Sequence, residues 1–218
     1  MLVLNCEQGS EKWALARAGI PTASEFSCLL AKGRGGKESK ARRTYLLKLA
    51  GERLTGVPME NYTNAHMERG RVMEAEARDL YAFLTDTDPD QVGFIRRGDT
   101  GCSPDGLLGT KGAIEIKTKM AHLHLDCLLR DEFPEEHKAQ CQGILWITER
   151  DWIDLVIYWP NLPLIVKRAW RDEPYIEELA SAVGRFNEEL LEVVEKVEKY
   201  RRDHGPTAAI LEAIEAVS

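Results

Sequence analysis

Three residues in the stretch 102–119, CSPDGLLGTKGAIEIKTK, have types and spacing that chemistry can use: Asp105, then Glu115 and Lys117. The run AIEIKT alternates like a strand, with Ala113, Glu115 and Lys117 on one face and Ile114 and Ile116 on the other. Charges in such a place make poor core material, because a buried charge needs a partner. The end of the preceding strand brings Asp105 beside them. Two ionised carboxylates at close range repel unless a cation lies between them. Oxygen ligands favour Mg2+ or Mn2+ over zinc. A lysine alongside can orient or help deprotonate a water and can stabilise charge on a phosphoryl oxygen. These are the parts of metal-assisted phosphodiester hydrolysis. The competing reading is a cross-strand ion pair on a solvated face.

The elements that position these residues follow from periodicity and punctuation. Ser10 caps a short helix, EKWALARAG, that closes at Gly19, and Pro21-Thr22-Ala23-Ser24 opens a second, SEFSCLLAK. Residues 40–54 and 64–84 carry apolar side chains at helical spacing. After Asp88-Pro89 the period changes, and VGFIRR, DGLLG and AIEIKT read as strands with turns between them. Helices are expected over 120–130 and 135–147, strands over WIDLVIYW and PLIVKRAW, and a long helix over 175–202. Gly205-Pro206 separates that helix from a last short one. The pattern reads as one α/β (α+β) domain over 1–218. Its core lies over about 60–170, with N-terminal helices in 10–56 and C-terminal helices in 174–217 packed on it.

Composition narrows the class. With 44% hydrophobic and 30% charged residues the chain is globular in type, and no stretch reaches the roughly 18 apolar residues of a membrane span. The N-terminus lacks a basic region followed by an apolar run, so no signal peptide is expected. Five cysteines without a CxxC pair fit reduced thiols in the cytoplasm, each a small buried hydrophobe. The spacing of His122, His124 and Cys127 fits no common zinc pattern, so an ordinary helix is expected there. Of the net charge of −7, residues 171–218 contribute −6. Residues 32–43, KGRGGKESKARR, hold six basic side chains and one acidic one. That loop, Arg34 within it, either binds phosphates in a salt-dependent way or is solvated. It lacks the spacing of a nucleotide-binding P-loop.

Pro104-Asp105 followed by Glu115-Ile116-Lys117 has the form of the PD-(D/E)xK nuclease superfamily. Five ordered blocks, WALARAGIPTASEF, MERGRVMEAEAR, CSPDG, IEIK and AQCQGILWIT, resemble the phage-type alkaline exonucleases related to bacteriophage lambda exonuclease, the YqaJ-like viral recombinases. The similarity spans about residues 6–170, and the C-terminal helices more loosely. It implies a restriction-endonuclease-like core, a central mixed β-sheet flanked by helices. It also implies Asp105, Glu115 and the backbone carbonyl of Ile116 as metal ligands, Glu74 as an extra acid, Lys117 on the attacking water, and Gln142 completing the site. Arg17 and Ser24 would receive a terminal 5′-phosphate, with Trp13 near the DNA entry path and Met67 helping to separate strands.

Blander readings stand beside these: a helix-end cation for Arg17, core packing for Trp13 and Met67, a routine helical pair for Glu74 and Arg78. The activity implied is a Mg2+-dependent 5′→3′ exonuclease, with Mn2+ as substitute and two ions per site. It would degrade one strand of duplex DNA from 5′-phosphorylated ends to mononucleotides. The family further implies a ring-shaped homotrimer, a single-strand annealing protein as partner, and phage or prophage origin. Alternatives are a resolvase-like endonuclease of the same superfamily and an inactive protein that binds DNA ends.

Overall fold

The computed structural model describes residues 1–31, 39–59 and 65–204, with backbone alone at 65–68 and 71. At its centre is a mixed four-stranded sheet in the order β4 (Gly106–Leu108), β5 (Gly112–Thr118), β6 (Trp152–Tyr158) and β7 (Ile165–Trp170). Strand β5 runs antiparallel to β4 and parallel to β6, which places Glu115 opposite Leu155. A second sheet joins β1 (Leu2–Leu4), β2 (Phe94–Arg97) and β3 (Thr100–Cys102), all antiparallel. The strand expected at VGFIRR thus belongs to a sheet of its own. Strands β1 and β3, at three residues each, are too short for alternation to reveal them.

The helices are α1 (Glu11–Arg17), α2 (Phe26–Leu30), α3 (Lys40–Thr55), α4 (Ala65–Thr85), α5 (Ala121–Arg130), α6 (Lys138–Thr148) and α7 (Glu173–His204). Ser10 caps α1 as expected, its hydroxyl accepting from the Trp13 N–H at 3.2 Å. Two expected helices begin differently, with 3-10 turns at Ala23–Glu25 and Glu135–His137 ahead of α2 and α6. Helix α5 is an ordinary helix; its buried His124 meets the Pro163 carbonyl at 2.9 Å.

Each face of the mixed sheet is covered. Ile114 and Ile116 of β5 and Val156 of β6 pack under Ala77 and Tyr81 of α4. On the other face Ala113, Ile153, Leu155 and Ile157 meet α6, and α7 lies beyond through Leu179, Val183, Phe186 and Leu190. The period-2 alternation of β5 therefore sends its isoleucines into one core and brings Glu115 and Lys117 to the α6 side. Helix α6 approaches closely because residue 143 is glycine: a Cβ there would stand 2.5 Å from the Phe26 ring. That approach sets the turn at residues 22–25 beside the start of α6.

Among the described residues no helix is long and apolar enough to cross a membrane. Arg34, most of the basic loop and the short helix expected after Pro206 lie outside the described residues, as does the side chain of Met67.

Candidate active site

Strand β5 delivers Glu115 and Lys117 from the middle of the sheet, and the turn before β4 delivers Asp105. The Asp105 N–H donates to the Ile114 carbonyl at 3.1 Å, and its Oδ2 accepts from the Ile116 N–H at 2.6 Å. The aspartate side chain thus continues the ladder past the end of β4. In a strand a residue's N–H and C=O point the same way, so the Ile116 carbonyl lies on the edge that Asp105 occupies.

Glu115 Oε1 accepts from Lys117 Nζ at 2.8 Å and from the Gln140 amide. Its other oxygen, Oε2, is buried and has no hydrogen-bond partner among the described residues. Buried carboxylate oxygens do not normally go unsatisfied. Helix α4 contributes Glu74, which accepts from Arg78 one turn on, while Arg78 Nε donates to the Asp105 backbone carbonyl at 3.1 Å.

The electrostatics mark a cluster with excess negative charge. Burial pushes the Asp105 carboxyl well above the usual range, and the neighbouring charges of Glu115 and Glu74 push it further. Burial also raises Glu74; Arg78 opposes the rise and Glu115 adds to it. Burial alone would lower the Lys117 ammonium, but Glu115 beside it produces a net rise. A divalent cation suits such a set: two carboxylates, one with an orphaned oxygen, and a strand carbonyl, all hard oxygen donors. Among the described residues, no three His, Cys, Asp or Glu side chains converge as a ready-made cage. Asp105, Glu115 and the Ile116 carbonyl would hold such an ion, and Glu74, one oxygen of which accepts from Arg78, stands beside them.

A pocket opens next to this face. Its wall includes Trp13, Arg17, Thr22, Ser24, Ser103 and Gln140. The Arg17 guanidinium stacks 4.0 Å from the Trp13 ring centroid, with Nη2 at 3.5 Å from the Thr22 hydroxyl. The hydroxyls of Thr22 and Ser24 are 3.2 Å apart. Trp13 Nε1 donates to Ser103 Oγ at 2.8 Å, which ties α1 to the segment leading into Asp105.

Of the residues singled out in the sequence, Asp105, Glu115, Lys117 and Glu74 come together, and Trp13, Arg17 and Ser24 share the adjoining pocket. Gln142 requires correction. Its amide donates to the Trp170 carbonyl at 2.8 Å and its oxygen accepts from the Asp172 N–H at 2.9 Å, so both ends are engaged at the β7–α7 junction. The glutamine that meets Glu115 is Gln140, two residues earlier. Thr22 and Arg78 also escaped the sequence reading as parts of the site. The spacing of Arg78 from Glu74 was the available signal.

The YqaJ-like viral recombinase domain profile matches residues 12–151. The chain belongs to the YqaJ-like viral recombinase family. As a member of it, the protein is a nuclease that acts on DNA. The crystal structure of an alkaline exonuclease, LHK-Exo, from Laribacter hongkongensis superposes with a TM-score of 0.81 at 31% identity, covering 89% of this chain and 99% of that one. A second structure, of LHK-Exo in complex with dAMP, matches equally well. A phage-related exonuclease from Haemophilus somnus matches at TM-score 0.62 and 12% identity over 82% of this chain and 96% of that one, and shares the fold. Among curated protein sequences none matches.

Proposed function

We propose that this member of the family is a Mg2+-dependent 5′→3′ exonuclease that degrades one strand of duplex DNA from 5′-phosphorylated ends. One observation carries the reading: Gln140 lines the Arg17 pocket and also holds Glu115. A phosphate seated by Arg17 would therefore lie one side chain away from the carboxylates.

Within that reading each residue has a task. Arg17, oriented by Trp13, receives the terminal phosphate, and the Thr22 and Ser24 hydroxyls add donors. Asp105, Glu115 and the Ile116 carbonyl would hold the cation; Mn2+ would substitute, and Glu74 would help to hold a second ion. When bound, a divalent ion acidifies water and offsets charge on the phosphoryl oxygens. Lys117, fixed by Glu115, orients the attacking water. Water oxygen bonds to phosphorus, the P–O3′ bond breaks, and the 3′-oxygen leaves with a proton. The released nucleotide keeps its 5′-phosphate, and the shortened strand presents a new one to Arg17. Direction follows from that regenerated anchor. LHK-Exo has been crystallised with dAMP, a deoxymononucleotide, which is the product class expected here.

A closed ring of three copies would place acidic α7 outward and basic groups toward the DNA, and the resulting 3′ strand would pass to a single-strand annealing protein. The deciding experiment digests duplexes labelled at the 5′ or 3′ end, with and without the 5′-phosphate, beside closed circles. Early release of the 5′ label as mononucleotide, dependent on the phosphate, is expected. Cutting of circles, indifferent to the phosphate, would point to the endonuclease instead.

A further inference from the structure

Arg78 holds two parts of the site at once. Its Nη2 donates to Glu74 and its Nε donates to the backbone carbonyl of Asp105. The side chain is only 12% exposed, so the pair with Glu74 is shielded from solvent more than a surface helical pair would be. A guanidinium presents its donors in a fixed planar fork, whereas an ammonium is a single charged point that cannot reproduce that geometry. We propose that Arg78 is the positioning residue of the cation site: it joins the carboxylate of α4 to the main chain that carries Asp105, and so sets the spacing of the two acids. This inference rests on the proposed binding of a divalent cation by the carboxylates.

The anchoring of α4 does not depend on Arg78. One turn further along, the Tyr81 hydroxyl donates to Asp154 at 2.7 Å, and Asp154 is held by Arg168 through two contacts of 2.8 and 2.9 Å. Ala77 and Tyr81 also pack on Ile114, Ile116 and Val156. Loss of the Arg78 fork therefore leaves the helix in place. Its effect falls on Glu74, which loses the guanidinium that holds its carboxylate beside the Asp105 main chain.

The test is a Mn2+ titration of the full chain, followed by the paramagnetic resonance of the free ion, together with urea unfolding. It compares the native protein with Arg78→Lys, Glu74→Gln, the double variant and Asp105→Asn. Arg78→Lys should weaken Mn2+ binding by about tenfold, the scale seen when residues supporting metal ligands are replaced, with the unfolding midpoint unmoved. The double variant should bind no more weakly than its weaker parent, since both substitutions disable one unit. Native affinity in Arg78→Lys, or a loss accompanied by an equal loss of folding, overturns the inference. If Asp105→Asn binds Mn2+ like the native chain, the site reading itself fails and the Arg78 inference falls with it. If only Asp105→Asn is weakened, the Arg78 inference alone fails.

Discussion

Gln140 and Lys117 converge on one oxygen of Glu115, from helix α6 and from the strand itself, leaving the other oxygen buried without a partner among the described residues. The arrangement fixes the carboxylate in one orientation while keeping half of its ligand capacity free.

Replacing Gln140 by leucine should leave the urea midpoint close to native and lower the rate of duplex digestion by about tenfold, as for the loss of a supporting contact. Replacing Gln142 by leucine should do the reverse. It strips the Trp170 carbonyl and the Asp172 N–H of their partner, at a cost of about 1–3 kcal/mol per unsatisfied group. Initial rates and urea curves for the two variants check this directly.

That exchange of glutamines shows where sequence reading stops. The strands around β5 and the Asp105, Glu115, Lys117 face were legible, because a period of two assigns faces without knowledge of neighbours. Helix α6 is buried nearly all round, from Ala139 to Thr148, so no polar face distinguishes Gln140 from Gln142. Which of them meets the strand depends on the rotation of α6, and that is set by Gly143 against Phe26, a contact between distant segments. Strand β3, Thr-Gly-Cys, carries no pattern at all.

Arg17→Met should remove discrimination between phosphorylated and hydroxylated 5′ ends. The side chain keeps its length and apolar contact with Trp13 but loses the guanidinium. The rate on phosphorylated duplex should fall toward the rate on unphosphorylated duplex, with cleavage still dependent on Mg2+. Retained preference for the phosphate would mean that the pocket serves another purpose.

The buried Asp154 predicts a stability effect remote from the site. Arg168→Met leaves the Asp154 carboxylate, 2% exposed, with the Tyr81 hydroxyl as its one partner among the described residues. Breaking a buried pair costs about 3–5 kcal/mol. The lower end is expected, since the Arg168 side chain is 44% exposed. Adding Asp154→Leu to Arg168→Met should restore much of the loss, measured by urea unfolding.

His137 gives the metal-free protein a pH-dependent stability. Burial, with Lys117 and Lys119 nearby, pushes its imidazole down to about 4, while Glu136 opposes. The unfolded chain keeps an ordinary value of about 6.5. Below about pH 6.5 the unfolded state binds a proton that the folded state refuses, so stability falls from there to about pH 4 and then levels. His137→Gln should flatten the decline in urea midpoint between pH 7 and pH 5 relative to the native chain. An unchanged decline would show that His137 does not contribute.

In the proposed mechanism Asp105, Glu115 and the Ile116 carbonyl hold a divalent ion where the DNA backbone is cut. Anomalous diffraction from crystals grown with Mn2+ and a 5′-phosphorylated duplex tests it most directly. A peak about 2.1 Å from those oxygens, beside a backbone phosphate, is expected. Anomalous density elsewhere, with these side chains turned apart around the bound duplex, would contradict it.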